Sequence, residues 1–240
     1  MTTLLLSPEL FAAAAATIAD EAHHHLFKVK RLQTGDRLRV VDGAGHARHA
    51  EIAGIDKRTA RLALGETAPA NEPGLQVEIY VAPPKPERAA WLVEKATELG
   101  VSAIHFIATE HDARAFELAQ LARLRRIAVS AVEQCGRSVV PQIAAVGDLL
   151  ACVERLQTEL VPIIWLDGSG STAPLSLPAS CNGARRAIFV GPEGGWSPAE
   201  RVLFSSRQIE PWSLGPTVLR VETAAVVGAG LLLRDGGVSR

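Results

Sequence analysis

Apolar and polar residues alternate along the first third of the chain, and apolar residues recur at helical spacing along the rest. Alternation over residues 37–42, 46–55 and 60–64 predicts three short strands. Residues 66–74, ETAPANEPG, contain two prolines, one glycine and no large apolar residue, which is typical of a linker. The pattern therefore predicts a small β-rich module, in the form of a barrel, before residue 73.

Strand-like and helix-like segments alternate after this linker. We expect strands over residues 75–82, 103–109, 161–166, 187–190 and 212–214. We expect helices over residues 87–99, 116–132, 148–156, 197–208 and 222–233. Gly100 is expected to stop the first helix, and the S-P-A-E sequence that begins at Ser197 predicts a capping box. This alternation favours an α/β domain with a mostly parallel sheet.

Three of the predicted strands end in polar or glycine-rich loops. The loops follow residues 188–190 (IFV, then GPEGG), residues 213–214 (SL, then GPTVLR) and residue 166 (L, then DGSGS). In an open α/β sheet, ligands bind outside the carboxyl ends of the strands, and the free N–H groups at helix starts can contact them. We expect the three loops to form one ligand pocket, with ordinary tight turns as the alternative. Neither a dinucleotide-binding glycine motif nor a P-loop motif is present in the sequence.

Composition and charge restrict the class of protein further. The 240 residues are 48% hydrophobic and 21% charged, with a net charge of −1, which is typical of a globular protein. Nine Lys or Arg and four acidic residues lie between His23 and Arg61, so this stretch could bind phosphates or form a solvated face of mixed charge. The three cysteines lack the spacing of a disulfide framework or a zinc site. The apolar runs 10–19 and 224–233 are too short to span a bilayer, so we expect no membrane partner and a cytoplasmic location.

Five sequence blocks resemble one known family. They are HLFKVKRLQTGD (25–36), Lys85 with VEKATELGV (93–101), AVEQCGRSVVP (131–141), GPEGG (191–195) and LGPTVLRVETA (214–224). In this order they are similar to the SPOUT superfamily of knotted methyltransferases, and within it to the bacterial enzymes that make 3-methyluridine in 16S ribosomal RNA. The resemblance covers nearly the whole chain. Lys30, Cys135 and the first ten residues depart from the family pattern.

The resemblance implies two domains. Residues 1–72 would form a PUA-like RNA-binding β-barrel, and residues 73–240 an α/β SPOUT methyltransferase domain, whose parallel sheet ends in a C-terminal trefoil knot. It also implies a homodimer with active sites at the interface, 16S ribosomal RNA or the small ribosomal subunit as partner, and S-adenosyl-L-methionine as methyl donor. The residues that would bind this donor are Leu166, Asp167, Gly168, Gly191, Pro192, Glu193, Gly194, Gly195, Leu214, Gly215, Val218 and Leu219.

The expected reaction needs a deprotonated acceptor, because uridine N3 is a poor nucleophile while it carries its proton. Arg220 and Arg137 are our candidates for stabilising the developing negative charge, and Glu98 is our candidate for the base. Arg220 could instead form an ion pair with Glu222 or Glu193, and Glu98 could pair with Lys95.

Lys28 and Arg31 are the expected RNA contacts in the first domain, because they lie in the basic stretch. Gly194 is expected to be a point of close approach to the donor, so that valine there would block binding. Two other functions remain open: a SPOUT methyltransferase that acts on another RNA, such as transfer RNA, and a non-catalytic RNA-binding assembly factor. The glycine-rich loops argue against the assembly factor, and the HLFKVKRLQTGD block argues against a transfer RNA enzyme.

Overall fold

The computed structural model describes residues 1–24, 26–27, 30–112, 116–172 and 185–234. The chain divides into two compact units. The first comprises Met1–Glu72 and Val129–Val140, and the second comprises Pro73–Ala128 and Pro141–Arg240.

The first part of the chain is mainly β-structure. Its elements are β1 (Thr3–Leu5), α1 (Pro8–Ala12), β2 (Ala15–Ala19), α2 (Asp20–His24), β3 (Arg37–Val41), β4 (Ala47–Ile55) and β5 (Thr59–Ala68). They form one five-stranded sheet in the order β1-β3-β4-β5-β2, in which only β1 and β3 pair in parallel. The three predicted strands are confirmed, whereas the elements before residue 25 were not predicted. The predicted linker begins too early, because β5 continues to Ala68, which pairs with Ala47.

Strands and helices alternate from Gln76 onward. The elements are β6 (Gln76–Val81), α3 (Pro86–Leu99), β7 (Ala103–Ile107), α4 (Leu118–Cys135), β8 (Gln142–Val146), α5 (Leu149–Thr158), β9 (Ile163–Thr172), β10 (Arg185–Val190), α6 (Pro198–Ser206), β11 (Pro211–Ser213) and α7 (Val221–Arg234). The six strands form a sheet in the order β11-β9-β10-β6-β7-β8, and every neighbouring pair is parallel. The predicted parallel α/β sheet is therefore confirmed.

Both predicted helix signals are confirmed. Gly100 follows α3 with a φ of 105°, and a Cβ at this position would lie 2.3 Å from Cγ of Pro73. Only glycine fits this left-handed stop without strain. At α6 the Oγ of Ser197 accepts from the backbone N–H of Glu200, whose side chain in turn accepts from the backbone N–H of Ser197.

Strand β9 is longer than predicted. We expected it to end at Leu166, but it continues to Thr172 and pairs with β11 across a register shift. Before the shift Trp165 is opposite Pro211, and after it Ser171 is opposite Trp212. The intervening residues 166–170 were read as a loop because their glycines and polar side chains are typical of turns. Pairing with β11, a strand of only three residues, holds them in the sheet instead.

Aromatic side chains fill the core on one face of the parallel sheet. The rings of Tyr80 and Phe189 stack with centroids 4.6 Å apart, and those of Trp165 and Phe204 stack at 4.7 Å. Trp196 packs edge-on against Phe204, with centroids 5.1 Å apart. All five side chains are buried. This packing fixes Trp196, which directly follows the GPEGG loop.

A buried carboxylate lies at the centre of the same sheet. Glu78 on β6 accepts a hydrogen bond from the Tyr80 hydroxyl at 2.8 Å and pairs with Arg185 on β10 at 2.5 Å. Burial by itself opposes ionisation, but the contacts with His105, Arg185 and Tyr80 outweigh it and lower the pKa of Glu78 to about 2. The carboxylate is therefore a stabilising ion wherever the pH is well above that value.

Acid is expected to destabilise the second unit through Glu78. A carboxyl whose pKa is lowered on folding stabilises the protein above its ordinary pKa of 4.5, and this contribution disappears as the pH falls from about 5 towards 2. The shift corresponds to roughly 3 kcal/mol in the free energy of unfolding. Urea denaturation followed by tryptophan fluorescence measures it, because Trp91, Trp165, Trp196 and Trp212 all lie in this unit. Glu78→Gln should lower stability at pH 7 and flatten the pH dependence; equal slopes for both proteins would contradict the assignment.

Candidate functional site

One cavity lies beside three neighbouring strands. Strands β11, β9 and β10 are adjacent in the sheet, so residues 166–168 of β9 lie beside the loops that follow β10 and β11. The cavity has a volume of about 380 Å³. Its lining includes every residue that we expected to hold a methyl donor except Gly194, namely Leu166, Asp167, Gly168, Gly191, Pro192, Glu193, Gly195, Leu214, Gly215, Val218 and Leu219. These three segments thus line a single pocket. Their role in binding the methyl donor stays a prediction.

Sequence reasoning missed several lining residues, above all Trp196. Its indole Nε1 donates a hydrogen bond of 2.9 Å to the backbone carbonyl of Leu166, which joins the loop after β10 to β9. A Cβ at Gly191 would lie 2.8 Å from this indole, closer than real contacts allow. Glycine is therefore required where the GPEGG loop passes Trp196. A Cβ at Gly194 would meet only His111, at 3.5 Å, which is an ordinary contact.

Asp167 is the buried carboxylate of the cavity wall. Its Oδ1 accepts hydrogen bonds from the backbone N–H and the Oγ of Ser169, and it forms an ion pair of 2.8 Å with Arg201. Burial opposes its ionisation, but the bonds from Ser169 and the charge of Arg201 outweigh this and lower the pKa of Asp167. Asp167 therefore remains an anion and a hydrogen-bond acceptor at neutral pH.

Arg88 on α3 supports the GPEGG loop, and sequence reasoning did not identify it. Its Nη1 bonds to Oε1 of Glu193 at 2.9 Å, and its Nε lies 3.7 Å from the buried Glu222 at the start of α7. Both carboxylates that we had considered as partners of Arg220 thus contact Arg88 instead. A single arginine near the start of a predicted helix does not indicate from the sequence that it contacts a distant loop.

Arg220 lies between the loop after β11 and α7 and is exposed to solvent. Its backbone carbonyl accepts from the N–H of Ala224 at 2.8 Å, which fixes the chain at the start of the helix. Within the described ranges its guanidinium forms no ion pair, so the predicted alternative of a pair with Glu222 or Glu193 is wrong. The side chain is not part of the cavity lining, but Leu219 and Val221 on either side of it are.

The other two catalytic candidates have partners away from the cavity lining. Glu98 pairs with Lys95 at 2.9 Å, as the alternative interpretation expected. Arg137 is buried, and its Nη2 lies 2.7 Å from Oε2 of Glu72. The other oxygen of Glu72 accepts from the backbone N–H of Ser138. These contacts favour structural roles for Glu98 and Arg137, and neither residue lines the cavity.

Only one of the two expected RNA contacts can be located. Arg31 is exposed and has a φ of 58°, which is uncommon for a residue with a side chain. Lys28 lies outside the described residues.

The described part of the chain shows neither a metal cluster nor a membrane-spanning helix. In those residues no cluster of His, Cys, Asp or Glu could hold a metal ion. No helix there is long and apolar enough to cross a membrane.

Comparison with known proteins assigns the family. The profile of the RNA methyltransferase domain matches residues 71–233, and that of the RNA methyltransferase PUA domain matches residues 18–64. The ribosomal RNA small subunit methyltransferase E of Synechocystis is 31% identical over 238 residues, covering 93% of this chain and 74% of that protein.

Solved structures agree with this assignment in fold. The ribosomal RNA small subunit methyltransferase E of Neisseria gonorrhoeae, bound to S-adenosylmethionine, superposes with a TM-score of 0.84 at 24% identity, over 98% of this chain and 97% of that one. A Legionella pneumophila protein solved with bound S-adenosylmethionine has a TM-score of 0.74 at 25% identity, over 98% and 97% of the two chains. Since the domain profile covers well over half of the sequence, the chain belongs to the RNA methyltransferase family, with a PUA domain before the methyltransferase domain.

Proposed function

We propose that this protein transfers a methyl group from S-adenosylmethionine to N3 of a uridine in the 16S RNA of the small ribosomal subunit. The observation that carries the proposal is the cavity between residues 166–168 of β9 and the loops after β10 and β11, in a chain of the RNA methyltransferase family. The name of the Synechocystis relative supports small-subunit RNA as the substrate. The Legionella structure supports the methyl donor.

The cavity fits this donor in size and chemistry. Its volume of about 380 Å³ lies within the range of small-ligand pockets. Leu166, Val190 and Leu219 provide apolar walls for an adenine ring. Glycine at position 191 lets the loop backbone pass close to the Trp196 indole, which also lines the cavity. Backbone groups of the loops would bind the adenine and ribose.

The residues of this chain would act mainly by positioning. S-adenosylmethionine supplies an electrophilic methyl group, so the protein has to place uridine N3 in line with it. We infer that Arg220 stabilises the negative charge that develops on O2 and O4 as N3 loses its proton. It is suited to this because it lies beside the loop after β11 and has no carboxylate partner among the described residues.

We further propose that the protein works as a homodimer in the cytoplasm and that its second domain contains the trefoil knot implied by the resemblance. Exposed apolar side chains on α3 and α7, namely Trp91, Leu99 and Val227, support a protein interface on these helices. Analytical ultracentrifugation of the purified protein tests the dimer; a monomer at micromolar concentration would contradict it.

Nucleoside mass spectrometry tests the function directly. Small subunits from cells that lack the gene should contain an unmodified uridine, which the purified protein and S-adenosylmethionine convert to 3-methyluridine. Transfer RNA and free 16S RNA serve as parallel substrates. Persistence of 3-methyluridine in 16S RNA of the deletion strain, or methylation of transfer RNA alone, would contradict the proposal.

Arg31→Ala is expected to weaken RNA binding without changing affinity for the methyl donor. Arg31 is exposed in the basic stretch, and loss of one phosphate contact removes about one released counterion. The slope of log affinity against log salt should become shallower by about one unit. Filter binding at several salt concentrations measures this, with Arg123→Ala on α4 as a control that also removes one exposed arginine. An unaltered affinity and slope would exclude Arg31 as a phosphate contact.

A further inference from the structure

We propose that His111 accepts the N3 proton of the target uridine, an inference that rests on the proposed function. His111 follows β7 and was not singled out from the sequence. Its imidazole Nδ1 lies 2.9 Å from the backbone carbonyl oxygen of Gly195. Gly195 itself lines the cavity, so the imidazole is one residue away from the wall of the proposed donor site.

The turn that carries His111 is held in place from both sides. The backbone N–H of Thr109 donates to the carbonyl of Asp112 at 3.0 Å, and the N–H of Asp112 donates back to the carbonyl of Thr109 at 3.2 Å. The N–H of Glu110 donates to Oε1 of Glu200, the capping glutamate of α6. The turn is therefore attached to the helix that follows the GPEGG loop, which gives the imidazole a defined position beside that loop.

The contact with Gly195 determines which ring nitrogen carries the proton. A carbonyl oxygen only accepts hydrogen bonds, so Nδ1 must be the donor. In the neutral ring Nε2 then has a free lone pair, and within the described residues nothing bonds to it. A backbone carbonyl that fixes the tautomer in this way leaves Nε2 ready to accept a proton. The exposed position of the side chain leaves it accessible to a bound nucleotide.

The other charged groups near the turn are less suited to this role. In the described segments beside it these are Glu110 and Asp112 in the turn, Glu193 in the GPEGG loop, and Glu200 and Arg201 on α6. Glu193 is paired with Arg88, and both carboxylate oxygens of Glu200 accept backbone hydrogen bonds. The low pKa of Asp167, held by Ser169 and Arg201 against the effect of burial, makes it a weak base. Imidazole is also the side chain whose ordinary protonation equilibrium lies near neutral pH.

The proposed step balances without a further reactant. The N3–H bond of uridine breaks and its proton moves to Nε2 of His111. The electron pair on N3 forms a bond to the methyl carbon as the carbon–sulfur bond breaks, which leaves S-adenosylhomocysteine. The imidazolium then returns its proton to solvent, and neutral His111 is restored.

A pH–rate profile of His111→Gln tests the inference with the full-length protein and small subunits as substrate. Glutamine can still donate to the Gly195 carbonyl but cannot take up the proton. We expect kcat to fall about 100-fold. The wild-type kcat should rise with pH and level off above neutrality, whereas that of the variant should keep rising because hydroxide replaces the base. Added imidazole should partly restore the activity of His111→Ala.

Affinity for the methyl donor shows whether His111 acts as a base or only supports the structure of the donor site. Calorimetry should show unchanged S-adenosylmethionine binding in His111→Gln, and circular dichroism an unchanged fold. Glu110→Gln, which removes a charge from the same turn, should leave kcat within about twofold. A wild-type pH profile in His111→Gln, or weaker donor binding with unchanged kcat, would overturn the inference. Absence of methylation by the wild-type protein would instead refute the proposed function.

Discussion

Replacing Gly191 by alanine is expected to weaken S-adenosylmethionine binding by roughly 100-fold. The new Cβ would lie 2.8 Å from the indole of Trp196, which is buried and bonded to the Leu166 carbonyl. Either the loop or the tryptophan must move, and both line the cavity. Overpacking of this kind costs up to about 3 kcal/mol, which corresponds to roughly a 100-fold rise in Kd. Isothermal titration calorimetry with S-adenosylmethionine measures the change.

Gly147→Ala is the matched control for this experiment. A Cβ at Gly147 would have nothing within 4 Å, and the residue is outside the cavity lining. It should bind the donor with wild-type affinity. Normal donor affinity in a folded Gly191→Ala protein would show that the cavity between β9, β10 and β11 is not the donor site.

Arg220→Ala is expected to lower kcat by about 100-fold while donor affinity stays unchanged. Arg220 is exposed beside the loop after β11, where we propose that its guanidinium stabilises negative charge on the uracil oxygens. Loss of one such donor in other enzymes costs about 100- to 1,000-fold in kcat. Single-turnover methylation at saturating donor and RNA measures the chemical step separately from binding.

Arg220→Lys distinguishes a specific contact from charge alone. Lysine keeps the positive charge but lacks the planar pair of donors, so kcat should recover only in part. If Arg220 only binds an RNA phosphate, its replacement should weaken RNA binding and leave the single-turnover rate unchanged. That result would contradict the proposed stabilisation of the transition state.

Local signals in the sequence predicted most regular elements of the second domain. The helix stop at Gly100 and the capping box at Ser197 each depend on neighbouring residues only, and both appear in the structure as predicted. Strand β8 was missed because its five residues, QIAAV, lie at the sheet edge and are only partly buried, so they show no clear apolar pattern. Strand β9 was predicted too short because its pairing with β11 compensates for a local preference for turns.

In the candidate site, too, the sequence predicted the local features and missed those that depend on long-range contacts. The three segments were expected to meet because they were predicted to end parallel strands; all three line the cavity, although residues 166–168 do so from within β9. Arg88, Trp196 and His111 could not be found in this way. Arg88 and His111 contact the GPEGG loop from positions that only long-range folding brings close, and Arg88 lies 105 residues from its partner Glu193. Trp196 follows this loop directly, but its hydrogen-bond partner, the Leu166 carbonyl, is distant in sequence. Arg137 is the converse case, since its block resembles a family motif while its guanidinium is bonded to Glu72.

The sequence by itself determined the family, the β-rich module followed by an alternating α/β segment, and the loops that line the cavity. These depend on short-range periodicity, on turn chemistry and on motifs read along the chain. The tertiary structure decided which strands are neighbours, which carboxylates are paired and which side chains contact the GPEGG loop. Those features arise from contacts between residues far apart in sequence, where burial and hydrogen bonding depend on the packed sheet, so no local pattern specifies them.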